Sequence, residues 1–162
     1  EDYPSVAKKA IRWMVNNTPM EIVEVEKNGE KREKMMKGTI VRHLVLPGRI
    51  EDTKLTLDWL KKTCDGKSCI SLMSQYTPVP FKGSAEELAW RKKSLGAFQN
   101  RLINTEEDKA LRKLIDSYDF EYLFYQDLSD DTSWLPDFNR IQPFSNALAK
   151  PVWHWKDGMV SN

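Results

Sequence analysis

The sequence predicts an α/β domain built on a parallel sheet. Three segments rich in branched and aromatic residues, 39–46, 69–75 and 121–128, have the length and composition of β-strands. Helical periodicity separates them, so that the first strand, helix and second strand occupy about 37 residues, the size of a βαβ unit. Because such crossovers are right-handed, the three strands are expected to form one parallel layer with flanking helices.

The segment before the first of these strands is predicted to form a helix and a hairpin. Residues 4–16 have helical periodicity. Four apolar side chains of this helix are expected to face the core: Val6, Ala10, Trp13 and Met14. Alternating residues in 20–26, followed by the turn dipeptide Asn28-Gly29, predict an exposed β-hairpin with its second strand near 32–37.

The most informative pattern lies in residues 39–48. Its near-continuous apolar run, closed by Pro47-Gly48, predicts a parallel strand buried on both faces. Arg42 stands inside this run, and burying a guanidinium without a partner is costly. Arg42 is therefore expected to contact an anion, a carboxylate or a cavity, and the alternative is an ordinary ion pair at a strand edge.

The remaining elements follow from periodicity and from capping residues. A helix over 51–63 is expected to be capped by Asp52 or Thr53, and a helix over 105–118 by Asn104 or Thr105. Residues 77–84 predict a loop, and 85–93 have weak helical character. Ligands bind at the carboxyl ends of parallel strands. Six polar or titratable residues mark those ends here: Arg42, His43, Gln75, Tyr76, Gln126 and Asp127.

The composition of the chain limits which class of protein it can be. The chain has 162 residues, 40% hydrophobic and 30% charged, and is expected to form a single domain, 1–162. A net charge of +1 gives no electrostatic case for nucleic acid or an anionic membrane as partner. No apolar run reaches the roughly 18 residues of a membrane span. Cys64 and Cys69 are too few for a disulfide framework or a four-cysteine zinc site, so a cytoplasmic location is expected.

Two further predictions concern the two ends of the chain. The sequence begins Glu1-Asp2-Tyr3-Pro4 without an initiator methionine, and it is expected to be a piece of a longer polypeptide. Residues 129–162 are expected to form an irregular tail that packs on the domain. This tail is rich in aromatic residues: Trp134, Phe138, Phe144, Trp153 and Trp155.

Three segments carry a resemblance to a known family. They are Arg42-His43-Leu44-Val45-Leu46-Pro47-Gly48, Leu72-Met73-Ser74-Gln75-Tyr76-Thr77-Pro78 and Trp134-Leu135-Pro136-Asp137-Phe138. Together they resemble the C-terminal half of radical SAM proteins, and within these the proteins similar to pyruvate formate-lyase-activating enzymes. The resemblance extends over most of the chain, from about Tyr3 to Lys156.

The resemblance implies a partial (β/α) barrel whose N-terminal half holds a [4Fe-4S] cluster on a CxxxCxxC loop. It implies that Arg42 and Leu44 lie beside bound S-adenosylmethionine, and the planar guanidinium of Arg42 suits a ligand carboxylate. Tyr76 stands where the activating enzymes have a histidine. His43 and Gln75 are its near neighbours, and the resemblance transfers no role to either.

The sequence leaves three hypotheses of function. No CxxxCxxC motif is present, and such a cluster is held by cysteine thiolates. In the first hypothesis the chain is therefore the C-terminal part of a radical SAM enzyme, inactive and without cofactor when alone. In the second it is a protein-interaction or regulatory module without chemistry. The third, a small α/β enzyme that uses His43, Tyr76 and Asp127, lacks a recognisable catalytic motif.

The first hypothesis also names partners. In the parent protein, S-adenosylmethionine and a [4Fe-4S] cluster would be the cofactors, and the missing N-terminal half would supply the cluster cysteines. The substrate would be a protein or a small molecule that the sequence does not identify. Half a barrel leaves a parallel strand edge unpaired, so self-association through that edge is expected.

Overall fold

A computed structural model describes residues 2–79, 81–128, 133, 135–137, 140, 143–145, 153–154 and 158–159. The chain divides into two compact units, Glu1–Leu128 and Ser129–Asn162. The first unit contains all four helices of the described residues and two of the three sheets. Most of the predicted aromatic tail, including Trp134, Phe138 and Trp155, lies outside the described residues. The expected single domain with a packed tail stays a prediction.

The first unit alternates helices and strands after an initial hairpin. Its elements are α1 Tyr3–Asn17, β1 Glu21–Lys27, β2 Glu30–Lys37, β3 Ile40–Leu44, α2 Ile50–Cys64, β4 Cys69–Met73, α3 Ala85–Leu95, α4 Thr105–Asp116 and β5 Leu123–Gln126. The second unit has a two-stranded antiparallel pair, β6 Trp153–His154 with β7 Gly158–Met159. No described helix is both long and apolar enough to cross a membrane.

A three-stranded parallel sheet organises the first unit, in the order β3-β4-β5. The α/β class, the parallel strands and the separate antiparallel hairpin are therefore confirmed. In the register of the sheet, Arg42 lies opposite Ser71 and Leu44 lies opposite Met73. Met73 in turn lies opposite Gln126. The sheet is open, with β3 at one edge and β5 at the other.

The hydrophobic core lies between one face of this sheet and the helices. Strand residues alternate between the two faces, and the residues on the helix side are buried. The fully buried side chains of this core include Val45, Leu57, Leu60, Ile70, Leu72 and Leu111. They come from β3 and its continuation, α2, β4 and α4, so both crossover connections pack onto the same side of the sheet.

The prediction that the strand at 39–46 is buried on both faces is wrong. Val41 and Val45 are buried, whereas Ile40 is 58% exposed and Leu44 is 39% exposed. The described helices cover one face of the sheet, and β3 is an edge strand. An apolar composition is compatible with either a central or an edge strand, because it does not state which neighbours the strand has.

The predicted core face of α1 is also wrong. Val6 is 59% exposed and Trp13 is 66% exposed. The residues that pack on the core are Ile11 and Val15, four positions apart on another stripe of the helix. Because α1 carries two apolar stripes, its periodicity predicts the helix and leaves open which stripe meets the sheet.

The turn and capping predictions were partly right. Asn28 and Gly29 have φ of 57° and 80°, as the hairpin turn requires. Asn104 caps α4 in a capping box with Glu107. Neither Asp52 nor Thr53 caps α2, which begins after Arg49 without a side-chain cap.

Residues 85–93 are fully helical in the structure, because a further capping box at Ser84 fixes the start of α3. This helix buries no residue. Its weak hydrophobic periodicity therefore reflects a real absence of contact with the core.

Candidate functional site

The face of the sheet opposite the helices is the candidate site. Its side chains alternate with those of the core along each strand. A shallow depression of about 400 Å³ lies on this face, and six residues line it: Ile40, Arg42, Ser71, Phe124, Tyr125 and Gln126. Leu44 and Met73 follow Arg42 and Ser71 on the same faces of their strands, two residues towards the carboxyl edge. The face is mainly apolar and carries one guanidinium, that of Arg42 on the edge strand β3.

Arg42 has an unusual partner on this face. Its Nη2 lies 2.8 Å from the thioether sulfur of Met73, which is a weak acceptor. No carboxylate of the described residues lies within ion-pair distance of Arg42. The guanidinium therefore keeps donors for an anionic group, and its planar fork favours a carboxylate or a phosphate. The ordinary ion pair that was the alternative is absent from the described residues.

His43 lies on the other face of β3. Its Nε2 is 3.1 Å from Oγ1 of Thr53 in α2, and burial lowers the pKa of the imidazole below its usual value. The ring is consequently neutral at physiological pH and is held inside the helix layer. The structure does not bring His43 together with Arg42, although the two residues are adjacent in sequence.

Tyr76 belongs to a different cavity. Its hydroxyl donates to Oδ1 of Asn100 at 2.6 Å, and its ring meets Phe98 edge to face with centroids 5.3 Å apart. Burial raises the pKa of Tyr76. The cavity, of about 340 Å³, is lined by Leu46, Arg49, Asp52, Tyr76, Ser94, Leu95 and Phe98. None of these seven residues lines the depression around Arg42, and Gln75 beside Tyr76 is exposed.

Glu107 fixes the loop that follows β3. Its Oε1 accepts the backbone N–H of Gly48 at 2.8 Å, and both of its oxygens accept from Arg101, at 2.6 and 2.9 Å. The Arg101 guanidinium is the main reason why the pKa of Glu107 falls from 4.5 to about 2. The sequence marked Glu107 only as an acid in the first turn of a helix. Glu107 lies three residues after Asn104, which is the spacing of a capping box. That spacing could have identified Glu107 as a capping residue.

A second polar network joins the ends of β4 and β5. Tyr125 donates its hydroxyl to Oδ1 of Asp108, and the same oxygen of Tyr125 lies 2.7 Å from Oγ of the buried Ser74. Burial, followed by the bond to Asp108, raises the pKa of Tyr125 to about 12. Arg112 completes the network by donating to Asp108 and Asp127, each at 2.8 Å. Ser74 and Tyr125 are thus engaged with each other on the core side of the sheet.

These contacts weaken the hypothesis of a small enzyme that uses His43, Tyr76 and Asp127. The three side chains bond to three different partners: Thr53, Asn100 and Arg112. A catalytic pair requires a nucleophile and a base within hydrogen-bond reach of one another. The structure provides no such pair among these three residues.

The two cysteines do not fit an iron–sulfur cluster. Cys64 is buried in the core at the end of α2, and burial raises the pKa of its thiol. Cys69 is also buried, with its sulfur 3.3 Å from that of Met35 and 3.8 Å from that of Met20. The described part of the chain contains no group of three His, Cys, Asp or Glu side chains that could hold a metal ion. We therefore assign no step of chemistry to a cluster on these residues.

Comparison of the chain with protein-family models, with curated proteins and with solved structures finds no match.

Proposed function

We propose that the chain supplies the S-adenosylmethionine side of a radical SAM enzyme of the pyruvate formate-lyase-activating type. In this proposal the chain is the C-terminal part of a longer protein and is inactive alone. The proposal is supported by the sequence resemblance of residues 42–48 and 72–78 and by one structural observation. That observation is Arg42, a guanidinium without a carboxylate partner among the described residues, on an uncovered sheet face.

The residues of the depression are suited to a ligand that combines a carboxylate with an apolar part. Arg42 would bind the ligand's carboxylate, and Leu44 would contact its apolar part. Gln126 and Ser71 line the same depression and offer hydrogen-bonding groups beside the guanidinium. Met73 would hold Arg42 in place through its sulfur until the ligand arrives. When bound, S-adenosylmethionine would be the source of the radical chemistry.

In this proposal the other three candidate residues have weaker roles. Tyr76 lies in a separate cavity and would act by positioning the segment after β4. His43 would hold β3 to α2 through Thr53. Gln75 is exposed and close in sequence to Met73, so it is the best placed of the three to reach a ligand.

The partial barrel belongs to the same proposal. Helices lie on one face of the β3-β4-β5 layer, and in a (β/α) barrel that face is the outside. The uncovered face with Arg42 would then be the inside, where ligands are held. The N-terminal half of the parent would bring the cluster cysteines.

The test uses the full-length parent protein. Its gene is sequenced upstream of the codon for Glu1, and a CxxxCxxC motif there is expected. The protein is then reconstituted with iron and sulfide, and formation of 5′-deoxyadenosine from S-adenosylmethionine is measured. Arg42→Ala is expected to raise the KM for S-adenosylmethionine by about tenfold or more, since a charge-assisted pair contributes about 1.5–3 kcal/mol. A parent protein without the CxxxCxxC motif would contradict the proposal.

An interaction or regulatory module is the second candidate function. It is favoured by exposed apolar residues: Val6 and Trp13, seven positions apart on one face of α1, and Phe124 on β5. Substitution of Val6 and Trp13, which do not line the depression, by polar residues would abolish partner binding in a module and would spare S-adenosylmethionine binding. Arg42→Ala would instead weaken S-adenosylmethionine binding and leave partner binding unchanged.

A further inference from the structure

A cleft of about 320 Å³ opens beside the outer edge of β3, between α1 and α2. Most of its lining is apolar or aromatic, and the lining includes Lys8, Arg42 and His43 but no acidic residue. The cleft lies on the helix side of the sheet, since Val41, Trp59 and Leu60 line it. The depression described above lies on the other face, and Arg42 is the one residue that lines both.

The backbone of β3 is unpaired along this cleft. Cys69 donates its N–H to the carbonyl of Thr39, and Val45 donates its N–H to the carbonyl of Met73. In a parallel ladder every second residue faces the neighbouring strand, so residues 39, 41, 43 and 45 pair with β4. The N–H and C=O groups of Ile40, Arg42 and Leu44 consequently point outward. No described strand pairs with them.

Two cations stand over Trp59 in the same region. The Lys8 Nζ is 5.7 Å and the Arg12 Cζ is 5.6 Å from the centroid of the Trp59 ring. Neither cation forms an ion pair with a described carboxylate. Because no described carboxylate neutralises these two cations, both are available to the carboxylates of a partner.

Trp59 itself has an unsatisfied donor. Its Nε1 is the one buried side-chain nitrogen or oxygen atom of the described residues that has no hydrogen-bond partner. Buried donors are nearly always paired in folded proteins, and Trp59 lines the cleft, so an acceptor bound in the cleft is a candidate partner for this donor. A backbone carbonyl or a carboxylate would satisfy it.

We propose that the edge of β3 and this cleft bind an extended, acidic strand of a partner protein. The strand would add to the sheet beside β3 through the backbone groups of Ile40, Arg42 and Leu44. Its carboxylates would reach Lys8 and Arg12, and one of its oxygens would accept from the indole of Trp59. The proposal does not rest on S-adenosylmethionine, because its residues lie on the helix side of the sheet and on the strand backbone.

A second copy of the chain fits this edge poorly. If two β3 strands paired antiparallel about their centres, Arg42 would lie opposite its own counterpart, and like charges in directly opposed positions are destabilising. The two α1 helices would also bring Lys8 and Arg12 of both copies together. An acidic strand avoids both repulsions.

Calorimetric titration with short synthetic peptides tests the proposal. The first peptide alternates glutamate and valine, the second replaces glutamate by lysine, and the third is the glutamate peptide with alternate backbone nitrogens methylated. Saturable binding of the first is expected, with affinity lower by about tenfold or more for the second and third. N-methylation removes the donors that strand addition needs and keeps the charge. Equal binding of the methylated peptide would therefore overturn strand addition.

Variants locate the binding surface. The double substitution Lys8→Glu and Arg12→Glu is expected to lower the affinity for the glutamate peptide by about tenfold or more. The control is Lys9→Glu, on the same helix but outside the cleft, and it is expected to leave that affinity unchanged. Trp59→Phe keeps the ring and removes the N–H, so a severalfold loss is expected. Circular dichroism of each variant establishes that it is folded.

Three outcomes would contradict the inference. The first is no binding of the glutamate peptide by the folded protein. The second is equally strong binding of free glutamate, which would reduce the cleft to a small-anion site. The third is concentration-dependent dimerisation that the Lys8 and Arg12 substitutions abolish, which would assign the edge to a second copy.

Discussion

Gly48 donates its backbone N–H to Oε1 of Glu107 at 2.8 Å, joining the loop after β3 to the first turn of α4. The bond links a turn in the left-handed region, with φ of +77°, to a carboxylate already held by Arg101. The end of the Arg42-bearing strand is thus anchored to a helix distant in sequence. The first two predictions concern this anchor.

Replacement of Glu107 by Gln is expected to destabilise the fold at neutral pH by on the order of 2 kcal/mol. Because the pKa of Glu107 falls from 4.5 to about 2 on folding, the folded state favours the ionised carboxylate. Its contribution is present above pH 4.5 and is lost as the pH falls towards 2. Urea unfolding at pH 7 and at pH 2 measures it. Glu106→Gln, at an exposed neighbour, is the control and is expected to have a small effect.

Replacement of Gly48 by Ala is expected to cost about 3 kcal/mol or more. A Cβ at this position would lie 2.1 Å from the carbonyl oxygen of Ala97, and φ is in the left-handed region. Gly29→Ala is a matched control, since Gly29 has φ of +80° and an added Cβ meets nothing within 4 Å. Thermal unfolding of both variants separates the backbone strain, which they share, from the clash. Equal losses of stability would show that the Ala97 segment moves aside.

S-adenosylmethionine is expected to produce little change in the melting temperature of this chain alone. A ligand stabilises a protein in proportion to the logarithm of its concentration over its Kd, so an incomplete site gives a small shift. Differential scanning fluorimetry with and without S-adenosylmethionine measures the shift, and Arg42→Ala is the companion variant. A rise of several degrees that Arg42→Ala removes would show that the site is complete without the cluster-bearing half.

The isolated chain is expected to self-associate through the outer edge of β5. No described strand pairs with that edge, and Phe124 on β5 is 64% exposed. Phe124→Asp should lower the apparent mass at high protein concentration, because a charge on a short edge strand opposes pairing. Light scattering over a range of concentrations provides the measurement, with Lys109→Glu on the exposed surface of α4 as control. A monomer at every concentration would contradict this prediction.

The sequence predicted the order of the elements well and their burial less well. The Asn28-Gly29 turn, the cap at Asn104 and the crossover from β3 to β4 depend on neighbours within a few residues or on one helix. The burial of β3 and the orientation of α1 depend on which element lies across the core. That information is spread over residues distant in sequence, and Val6 and Val15 are equally apolar.

The candidate site could likewise be predicted only in part from the sequence. Arg42 was recognisable because a guanidinium in an apolar strand is costly unless it has a partner or a cavity. Arg42 and His43 point to opposite faces of the sheet because successive side chains alternate along a strand, and this could have been predicted from the sequence. Ser71 and Phe124 could not be found, since only the register of β3, β4 and β5 places them beside Arg42.

The one-sided burial of β3 has a consequence for how the protein can evolve. Val41 and Val45 hold the strand in the core, while the side chains of Ile40, Arg42 and Leu44 are exposed on the other face. The buried side chains that stabilise the fold and the exposed ones therefore alternate along residues 40–45. Mutations at the even-numbered positions can change what is recognised while the odd-numbered ones preserve the fold. A new specificity can be reached there by single substitutions that leave the folded state intact.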